Sequence, residues 1–244
     1  MGKTSKATYD VFAVGYSLWA QTRGQRFYED ALNFLPQFAH RALDVGCGPG
    51  IFSMQLADHV NRVVGLDISR SMIAIAKEHQ TKLKRGNVDF VVADLSNLPF
   101  KEGIFDFIAS FNALRLRSIE LKVPKLCGLL KPGGRMVIHE SVTKPSRLAG
   151  EFPIWQVLDA LKSAPKYAIS YGLRTMCRIL SFRLSPKWIR YFWKSKKLTP
   201  ELFQNIYSRL LPGCSFKKES WRIMAFWEAP GKGMQSLVPE FRYD

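Results

Sequence analysis

A glycine-rich segment is the sharpest chemical feature of this 244-residue sequence. It reads Leu43-Asp44-Val45-Gly46-Cys47-Gly48-Pro49-Gly50, and it follows a short apolar run and precedes a helical pattern. Glycines let the backbone turn tightly and approach a ligand without interference from a Cβ atom. The dinucleotide-binding spacing is not met, because Ile51 stands where the third glycine belongs. Asp44 would also repel a pyrophosphate, so the segment predicts a loop for a different ligand.

Two aspartates end the next two apolar runs. Asp67 lies 21 residues beyond Gly46, where a carboxylate can accept hydrogen bonds from both hydroxyls of a ribose. Asp94 ends the third run, where a side-chain acceptor can take the exocyclic amine of an adenine. Groups at the ends of successive strands line one crevice, as expected at the topological switch point of an open sheet.

The elements that must position these residues alternate between strand and helix patterns. Apolar runs predict strands at 42–45, 62–66, 88–92, 105–111 and 135–139, with helices between them at 51–57, 71–83 and 119–130. Pro132-Gly133-Gly134 is expected to end the last of these helices. A later helix begins at Thr199-Pro200, and two final runs, 214–218 and 221–229, predict a hairpin. The pattern predicts a doubly wound α/β fold with a mostly parallel seven-stranded sheet and a helical cap insertion after the fifth strand.

These segments resemble the motifs of class I S-adenosylmethionine-dependent methyltransferases of the small-molecule type, with a core like that of ubiquinone, menaquinone and glycine methyltransferases. The glycine loop resembles their first motif, and Gly65-Leu66-Asp67-Ile68-Ser69 with Met72 resembles the second. Later motifs are matched by Ala93-Asp94, Phe105-Asp106 and Leu130-Lys131-Pro132-Gly133-Gly134. The resemblance covers about residues 8–140, with weaker support from 199–229. It implies S-adenosylmethionine as the cofactor and methyl transfer by in-line displacement.

The resemblance also implies a set of cofactor-binding residues. Gly46 to Gly50 would pass the methionine part of the cofactor, Asp67 would hold the ribose and Asp94 would bind the adenine amine. Ile68 and Met72 would pack on adenine, although Met72 also fits plain core packing. Asn112 would lie where the amino-acid part of the cofactor meets the substrate. The full expected set is Asp44, Gly46, Cys47, Gly48, Pro49, Gly50, Asp67, Ile68, Met72, Asp94, Leu95, Asn112, Tyr16 and Arg23.

Aromatic residues before the first strand have the spacing of one helical face: Tyr9, Phe12, Tyr16 and Trp19. Such a face can simply pack on the core, or it can form a lid over the cationic sulfonium, which aromatic faces stabilise. Thr22-Arg23 resembles a segment in which an arginine meets the cofactor carboxylate, and Arg26 is a competing candidate. The expected single domain, 1–244, thus divides into a lid (1–40), a cofactor-binding core (41–140), a cap (141–198) and a final helix with a hairpin (199–229).

The net charge of +16 is concentrated in the cap region. Residues 141–200 contain twelve lysines and arginines and two acids. The same segment carries nine aromatic residues: Phe152, Trp155, Tyr167, Tyr171, Phe182, Trp188, Tyr191, Phe192 and Trp193. A cap whose aromatic side chains line a substrate pocket and whose cations face solvent accounts for both features. Contact of the cations with an anionic membrane or with nucleic acid is the alternative.

His139, next to Glu140 at the end of the fifth strand, is the candidate catalytic residue. It would act as a general base if the acceptor is a phenol or an enol carbon, and a purely structural histidine is the alternative. The leading functional hypothesis is methyl transfer to a lipophilic or aromatic small molecule, at nitrogen, oxygen or carbon. A tRNA methyltransferase is the second hypothesis, and a catalytically silent cofactor-binding scaffold is the third.

Composition narrows the cellular setting. Apolar residues make up 47% of the chain, enough for a sizeable core, and no run of 18 apolar residues predicts a membrane span. The four cysteines lack metal-site or disulfide spacing, and no acid cluster suggests a magnesium site. A cytoplasmic protein without a metal is expected, with peripheral membrane contact left open and the oligomeric state not predicted.

Overall fold

The computed structural model describes residues 2–114, 118–142, 154–194 and 198–231; for residues 2–8, 25, 155 and 192–194 it describes the backbone alone. The helices in chain order are α1 Gly2–Gln21, α2 Glu29–Asn33, α3 Ile51–Leu56, α4 Arg70–Lys82, α5 Ile119–Leu129, α6 Ile154–Lys162, α7 Ala164–Tyr171, α8 Leu173–Arg183, α9 Pro186–Lys194 and α10 Pro200–Leu210, with a 3-10 turn at Gln25–Phe27. The strands are β1 Arg41–Val45, β2 Arg62–Asp67, β3 Val88–Val92, β4 Phe105–Phe111, β5 Leu130–Ser141, β6 Ser215–Glu219 and β7 Arg222–Glu228.

The seven strands form one sheet in the order β3-β2-β1-β4-β5-β7-β6. Strands β1 to β5 are parallel, whereas β7 runs antiparallel to β5 and pairs with β6 in a hairpin. The chain first builds outward from β1 to β3 and then crosses to β4 on the other side. The carboxyl ends of β1 and β4 therefore open a crevice at the switch point. The predicted doubly wound sheet, with helices α6 to α9 inserted after β5, is confirmed.

Both faces of the sheet are buried, which explains the nearly continuous apolar runs of its strands. Leu43 and Ile108 face the layer that contains α5 and α10. Ala42 and Phe107, one position away on the same strands, face α3 and α4 on the other side. This alternation follows from the two-residue period of a β-strand.

Strand β5 begins five residues earlier than the sequence predicts. Helix α5 ends at Leu129, and Leu130 already pairs with Phe105 of β4. The pairing then shifts, so that Phe107 faces Arg135. Pro132-Gly133-Gly134 therefore forms a bulge within the strand and is not the helix stop that its composition suggests; Gly133 adopts φ 75°.

Helix α1 packs against the cap, and the helical face predicted for its aromatic residues is present. The Phe12 ring lies 5.7 Å from the Phe182 ring and 5.5 Å from the Trp188 ring. Tyr16 and Trp19 contact the same two cap residues. Among the predicted cap aromatics, Phe152 lies outside the described residues, and the side chains of Trp155, Phe192 and Trp193 are not described. The cap aromatics Phe182 and Trp188 thus bury themselves against α1 and do not line an open pocket.

Membrane-spanning helices are not found in the part of the chain that the structure describes, because none of its helices is both long and apolar enough to cross a bilayer.

Candidate functional site

The glycine loop joins β1 to α3 at the switch point. Gly46, Gly48 and Gly50 adopt positive φ angles of 69°, 53° and 78°, a region that favours glycine. The amides of Gly46 and Cys47 donate hydrogen bonds of 2.8 and 2.9 Å to the Leu66 carbonyl at the end of β2. The loop is therefore fixed to the neighbouring strand by its own backbone.

The three glycines differ in what surrounds them. A Cβ on Gly46 would lie 2.2 Å from the Ala113 Cβ, and one on Gly50 would lie 2.7 Å from Cζ of Phe90. A Cβ on Gly48 would meet only Cε1 of Tyr16, at 3.8 Å. Gly46 and Gly50 are thus required by packing, whereas Gly48 faces the space between the loop and α1.

Asp67 lies beside the loop at the end of β2. Its carboxylate accepts hydrogen bonds from the amides of Gly48, at 3.0 Å, and Ser69, at 2.8 Å. Burial raises the pKa of Asp67 and these two bonds partly offset the rise. The bonds hold the carboxylate in one orientation, which a multidentate polar ligand requires.

Asp44 is a second, fully buried carboxyl group at the crevice. The Ser53 hydroxyl donates to it at 2.6 Å. Burial raises the pKa of Asp44 to about 7; the Ser53 hydrogen bond lowers it and the nearby Asp67 raises it further. Because both carboxyl groups are poorly solvated, a cation bound between them would be strongly favoured.

Arg23 lies at the same crevice and Arg26 does not. The Arg23 guanidinium is 4.7 Å from the Trp19 ring and 5.7 Å from the Tyr16 ring, and it donates a 3.4 Å hydrogen bond to the Tyr16 hydroxyl. Arg26 is exposed. Of the two candidate arginines, Arg23 is the one beside Asp44 and the loop.

The crevice is closed by α1. The cavity lined by Tyr16, Arg23, Asp44, Gly48 and Phe111 measures about 30 Å³, which is the volume of a single water molecule. A larger cleft of about 530 Å³ lies near the amino ends of β2 and β3 and contains none of the predicted site residues. The small cavity is the relevant one, because the glycine loop, Asp44 and Arg23 line it and Asp67 is hydrogen-bonded to the loop residue Gly48.

Contacts in the middle and at the carboxyl end of α1 keep it over the crevice. Asp10 accepts hydrogen bonds from the Ser69 hydroxyl, at 2.6 Å, and the Ser71 amide, at 3.1 Å. His79 Nδ1 lies 2.9 Å from the Pro49 carbonyl oxygen. Because a carbonyl oxygen only accepts hydrogen bonds, Nδ1 carries the proton, and Nε2 can accept a hydrogen bond from the Gln21 side chain at 3.3 Å. Asp10 is not among the site residues that the sequence predicts. Its one signal is that it is the only acid among the first 28 residues.

The predicted adenine-side residues lie along the ends of β2 and β3. Asp94 accepts a 2.9 Å hydrogen bond from the Ser96 amide, which lowers the pKa of the Asp94 carboxyl. Leu95 is buried, Met72 is only 1% exposed, and Ile68 is half-buried. Asp94 and Ile68 are accessible enough to meet a ligand in this conformation, whereas Met72 is enclosed.

Asn112 is committed to a structural contact. Its side-chain oxygen accepts hydrogen bonds of 2.8 Å from both the amide and the hydroxyl of Ser141. Its own amide donates to the His139 carbonyl, and its φ of 56° fits this turn. Asn112 ties β4 to β5, and the neighbouring Phe111 lines the crevice in the place expected for it.

His139 is buried and does not open onto the crevice, contrary to the expectation for a strand-end histidine. Its ring lies 5.0 Å from Phe27 and 5.4 Å from Phe111, and both ring nitrogens lack a hydrogen-bond partner. Burial, together with Arg23 and Arg222, lowers the pKa of His139 to about 3. A general base works best with a pKa near the operating pH, so this conformation does not provide one at His139.

Metal binding has no support among the described side chains, where no group of three or more His, Cys, Asp or Glu residues is close enough to hold an ion.

Comparison with known proteins identifies the family. A family model described as a methyltransferase domain matches residues 39–201, which include the loop, both carboxyl groups and the whole cap. This chain belongs to the S-adenosylmethionine-dependent methyltransferases. The match confirms the resemblance seen in the sequence motifs.

Individual relatives of this methyltransferase share its core. It is 32% identical to a demethylmenaquinone methyltransferase of Renibacterium salmoninarum over 133 residues, 54% of this chain and 53% of that protein. It is 31% identical to phosphoethanolamine N-methyltransferase 3 of Arabidopsis thaliana over 147 residues, 59% of this chain and 29% of that protein. Among solved structures, PH0226 protein from Pyrococcus horikoshii is similar with a TM-score of 0.56 and 18% identity, covering 86% of this chain and 91% of that one. The chain spans about half the length, or less, of the curated relatives that it matches.

Proposed function

We propose that this methyltransferase binds S-adenosylmethionine in the crevice under α1 and transfers its methyl group to a lipophilic or aromatic small molecule. The observation that carries the proposal is the surroundings of Gly48. The missing Cβ of this residue faces the small cavity that Asp44, Arg23 and Tyr16 also line.

The residues of the crevice match the chemical groups of the cofactor. Bound S-adenosylmethionine supplies an electrophilic methyl group on a cationic sulfur. Asp44 and the aromatic ring of Tyr16 favour a cation at that point. Arg23 can pair with the cofactor carboxylate, and Asp67 and Asp94 have acceptor oxygens for the ribose hydroxyls and the adenine amine. Leu95 and Ile68 would support the adenine as part of the same wall.

Helix α1 acts as a lid in this proposal, with residues 1–40 as the lid segment and 141–198 as the cap. A cavity of about 30 Å³ admits nothing larger than water, so cofactor entry requires α1 to move away from the loop. After closure, α1 would exclude water and hold the acceptor in line with the methyl group and the sulfur.

The acceptor would bind beside Phe111, at the carboxyl ends of β4 and β5. This region is lined by aromatic rings, which suits an apolar or aromatic acceptor, and a relative that matches this core acts on demethylmenaquinone by name. His139 would serve there as a neutral hydrogen-bonding group, reached once Phe27 moves. With its pKa near 3 it is uncharged at neutral pH.

Two other functions would use the same site differently. A tRNA methyltransferase would need an open basic groove next to the crevice, whereas α1 and the buried cap aromatics enclose it. A catalytically silent cofactor-binding scaffold would hold S-adenosylmethionine in the same crevice and transfer no methyl group, so turnover is the measurement that separates it from an enzyme. We also propose a cytoplasmic setting, because the four cysteines are all unpaired thiols and Cys177 is exposed.

The decisive experiment compares two glycine variants with matched backbone strain. Gly48 and Gly103 have similar φ angles of 53° and 63°, and a Cβ at Gly103 meets nothing within 4 Å. Gly48→Ala should weaken S-adenosylmethionine binding, measured by calorimetry, at least tenfold, whereas Gly103→Ala should leave it unchanged. Asp67→Ala should cost about 1.5–3 kcal/mol of binding free energy through loss of charge-assisted hydrogen bonds.

Turnover then tests the acceptor class. A panel of quinone precursors, phenols and amines is incubated with the enzyme and labelled cofactor, with unfractionated tRNA as the competing substrate. Methylation of a lipophilic small molecule supports the proposal. Methylation of tRNA alone would show instead that the protein is a tRNA methyltransferase. Tight cofactor binding with no turnover on any acceptor would show that it is a silent scaffold.

A further inference from the structure

Exposed apolar side chains are concentrated on one part of the cap. Six of the fourteen large apolar side chains that are exposed in the described residues fall between 154 and 173. Ile169 is 87% exposed and Leu173 is 69% exposed, so most of their apolar surface is left in water. These six residues form the outer cap surface: Ile154, Leu158, Leu161, Ile169, Tyr171 and Leu173.

The outer cap surface is built on two sharp helix corners. A single residue, Ser163, separates α6 from α7, and a single glycine, Gly172, separates α7 from α8. Leu161 lies at the first corner, and Ile169 and Leu173 lie on either side of the second. Because α7 has eight residues, the corners are about 12 Å apart. The exposed apolar side chains therefore occupy one small region and are not scattered over the protein.

The same region is strongly cationic. Exposed Lys162 and Lys166 lie next to the first corner, and exposed Arg174 and Arg178 follow the second. Residues 154–194 contain eight lysines and arginines and one acid, Asp159. That acid is paired with Arg183 at 2.6 Å. The region thus combines apolar side chains and uncompensated positive charge.

We propose that the outer cap surface docks on an anionic lipid bilayer. Helices that combine exposed apolar side chains with lysines and arginines lie in the interface of a bilayer, where the apolar groups enter the acyl boundary and the cations meet the lipid phosphates. A second copy of this chain is a poor occupant, because two cationic surfaces would face each other. A nucleic acid would pair with the cations and leave Ile169 and Leu173 without a partner.

Docking at this surface leaves the crevice free to work. Ile179 and Phe182 are on the buried side of α8, and Phe182 contacts Phe12 of α1. Arg174 and Arg178 are on the exposed side of the same helix. A bilayer bound to the exposed side of α8 therefore leaves the contact between Phe12 and Phe182 uncovered. Tyr171, whose hydroxyl donates a 3.5 Å hydrogen bond to the Gln21 carbonyl oxygen, marks the place where the outer cap surface meets the end of α1. The inference does not depend on the proposed function.

Vesicle sedimentation of the full chain tests the inference. The probes are vesicles of phosphatidylcholine alone and vesicles with about one quarter phosphatidylserine. The full chain should bind the second kind only, and binding should weaken as salt rises. Lys166→Gln with Arg174→Gln should weaken binding at least tenfold, since each basic residue near an anionic surface contributes about fivefold. Ile169→Ser with Leu173→Ser should weaken it by a similar factor.

A matched pair at the amino ends of the central strands β1 and β4 is the control. Phe38 is 80% exposed ahead of β1 and Lys101 is exposed ahead of β4, so Phe38→Ser with Lys101→Gln changes the same residue classes far from the cap. This variant should bind as the wild type does, and circular dichroism should show that all three variants are folded.

Three results would overturn the inference. The first is failure of the wild-type chain to sediment with anionic vesicles. The second is an equal loss of binding in the control variant. The third is a stable dimer in solution that the Ile169→Ser and Leu173→Ser changes dissolve, which would make this surface a contact between copies. Cofactor binding by calorimetry is read separately, so failure here and failure of the proposed function are distinguishable.

Discussion

The two walls of the crevice are held by different forces. The polar wall consists of the loop 46–50 with Asp44 and Asp67, and hydrogen bonds to Ser53, Ser69 and the loop amides fix it. The aromatic wall consists of Tyr16, which lines the crevice, and of the cap rings Phe182 and Trp188 that pack behind it. The polar wall is built from a stretch of 24 residues, from 44 to 67, whereas the aromatic wall joins helices that are about 170 residues apart.

The polar wall is therefore preformed, whereas the aromatic wall must assemble when α1 closes. Strands β1 and β2 hold the polar wall whether or not α1 is closed. The aromatic wall exists only while α1 lies on α8 and α9. The preformed polar wall lowers the stability of the fold, because burial disfavours the ionised form of Asp44. The aromatic contacts add stability but separate when α1 moves.

The largest expected effect is on the polar wall. Gly50→Ala should lower the free energy of unfolding by about 2–5 kcal/mol, the sum of left-handed backbone strain and overpacking against Phe90. Chemical denaturation measures it. Gly103→Ala carries the strain without the clash, and an equal loss in both variants would mean that the loop tolerates a Cβ at position 50.

A second prediction concerns the cost of keeping Asp44 ionised. Its pKa is raised to about 7 in the folded protein from 3.8, so the folded state holds the proton more tightly. The loss of unfolding free energy caused by ionising Asp44 is absent below about pH 4. It grows as the pH rises to about 7 and is constant above that. Asp44→Asn should therefore raise the free energy of unfolding by roughly 2–4 kcal/mol at pH 8 and by little at pH 4, while weakening cofactor binding. A stabilisation that does not depend on pH would contradict this account.

A third prediction uses His139, which packs against Phe111, one of the residues that line the crevice. Its pKa is lowered to about 3 in the folded protein from 6.5, so the unfolded chain binds a proton more tightly, and stability is lost as the pH falls from about 6.5 to 3. His139→Phe should remove this loss, amounting to about 2 kcal/mol at pH 5 relative to pH 8. Thermal unfolding against pH measures it, and His59→Gln, which changes an exposed histidine, should not alter the acid limb.

The smallest expected effect is on the contact that joins the two walls. Asp10→Ala removes the acceptor of the hydrogen bonds from the Ser69 hydroxyl and the Ser71 amide. The free energy needed to open α1 should therefore fall by about 1–2 kcal/mol. Hydrogen exchange of the α1 amides reports the opening. Asp30→Ala, which removes a surface ion pair with Lys217, is the control, and unchanged exchange in Asp10→Ala would show that the aromatic contacts alone hold α1.

The polar wall could be predicted from sequence and the aromatic wall only in part. Glycine spacing and strand-end acids report local backbone requirements, so the loop, Asp67 and the strands β3 and β4 were predicted closely. The start of β5 was missed, because a bulge and a helix stop have the same Pro-Gly-Gly composition. Asp10, the role of Phe111 and the tie from Asn112 to Ser141 depend on packing between distant segments, and no local pattern encodes them.

The pairing of α1 with the cap has a consequence for synthesis. Tyr9 and Tyr191, whose hydroxyls lie 3.2 Å apart, are separated by 182 residues. At about 5–20 residues per second on the ribosome, roughly 9–36 s pass between the appearance of the first and the second. During that time α1 has no cap to pack on, and its aromatic face is available to chaperones or to other nascent chains. The late arrival of the cap makes closure of the crevice one of the last folding events, and a destabilised cap should therefore appear first as aggregation of newly made protein.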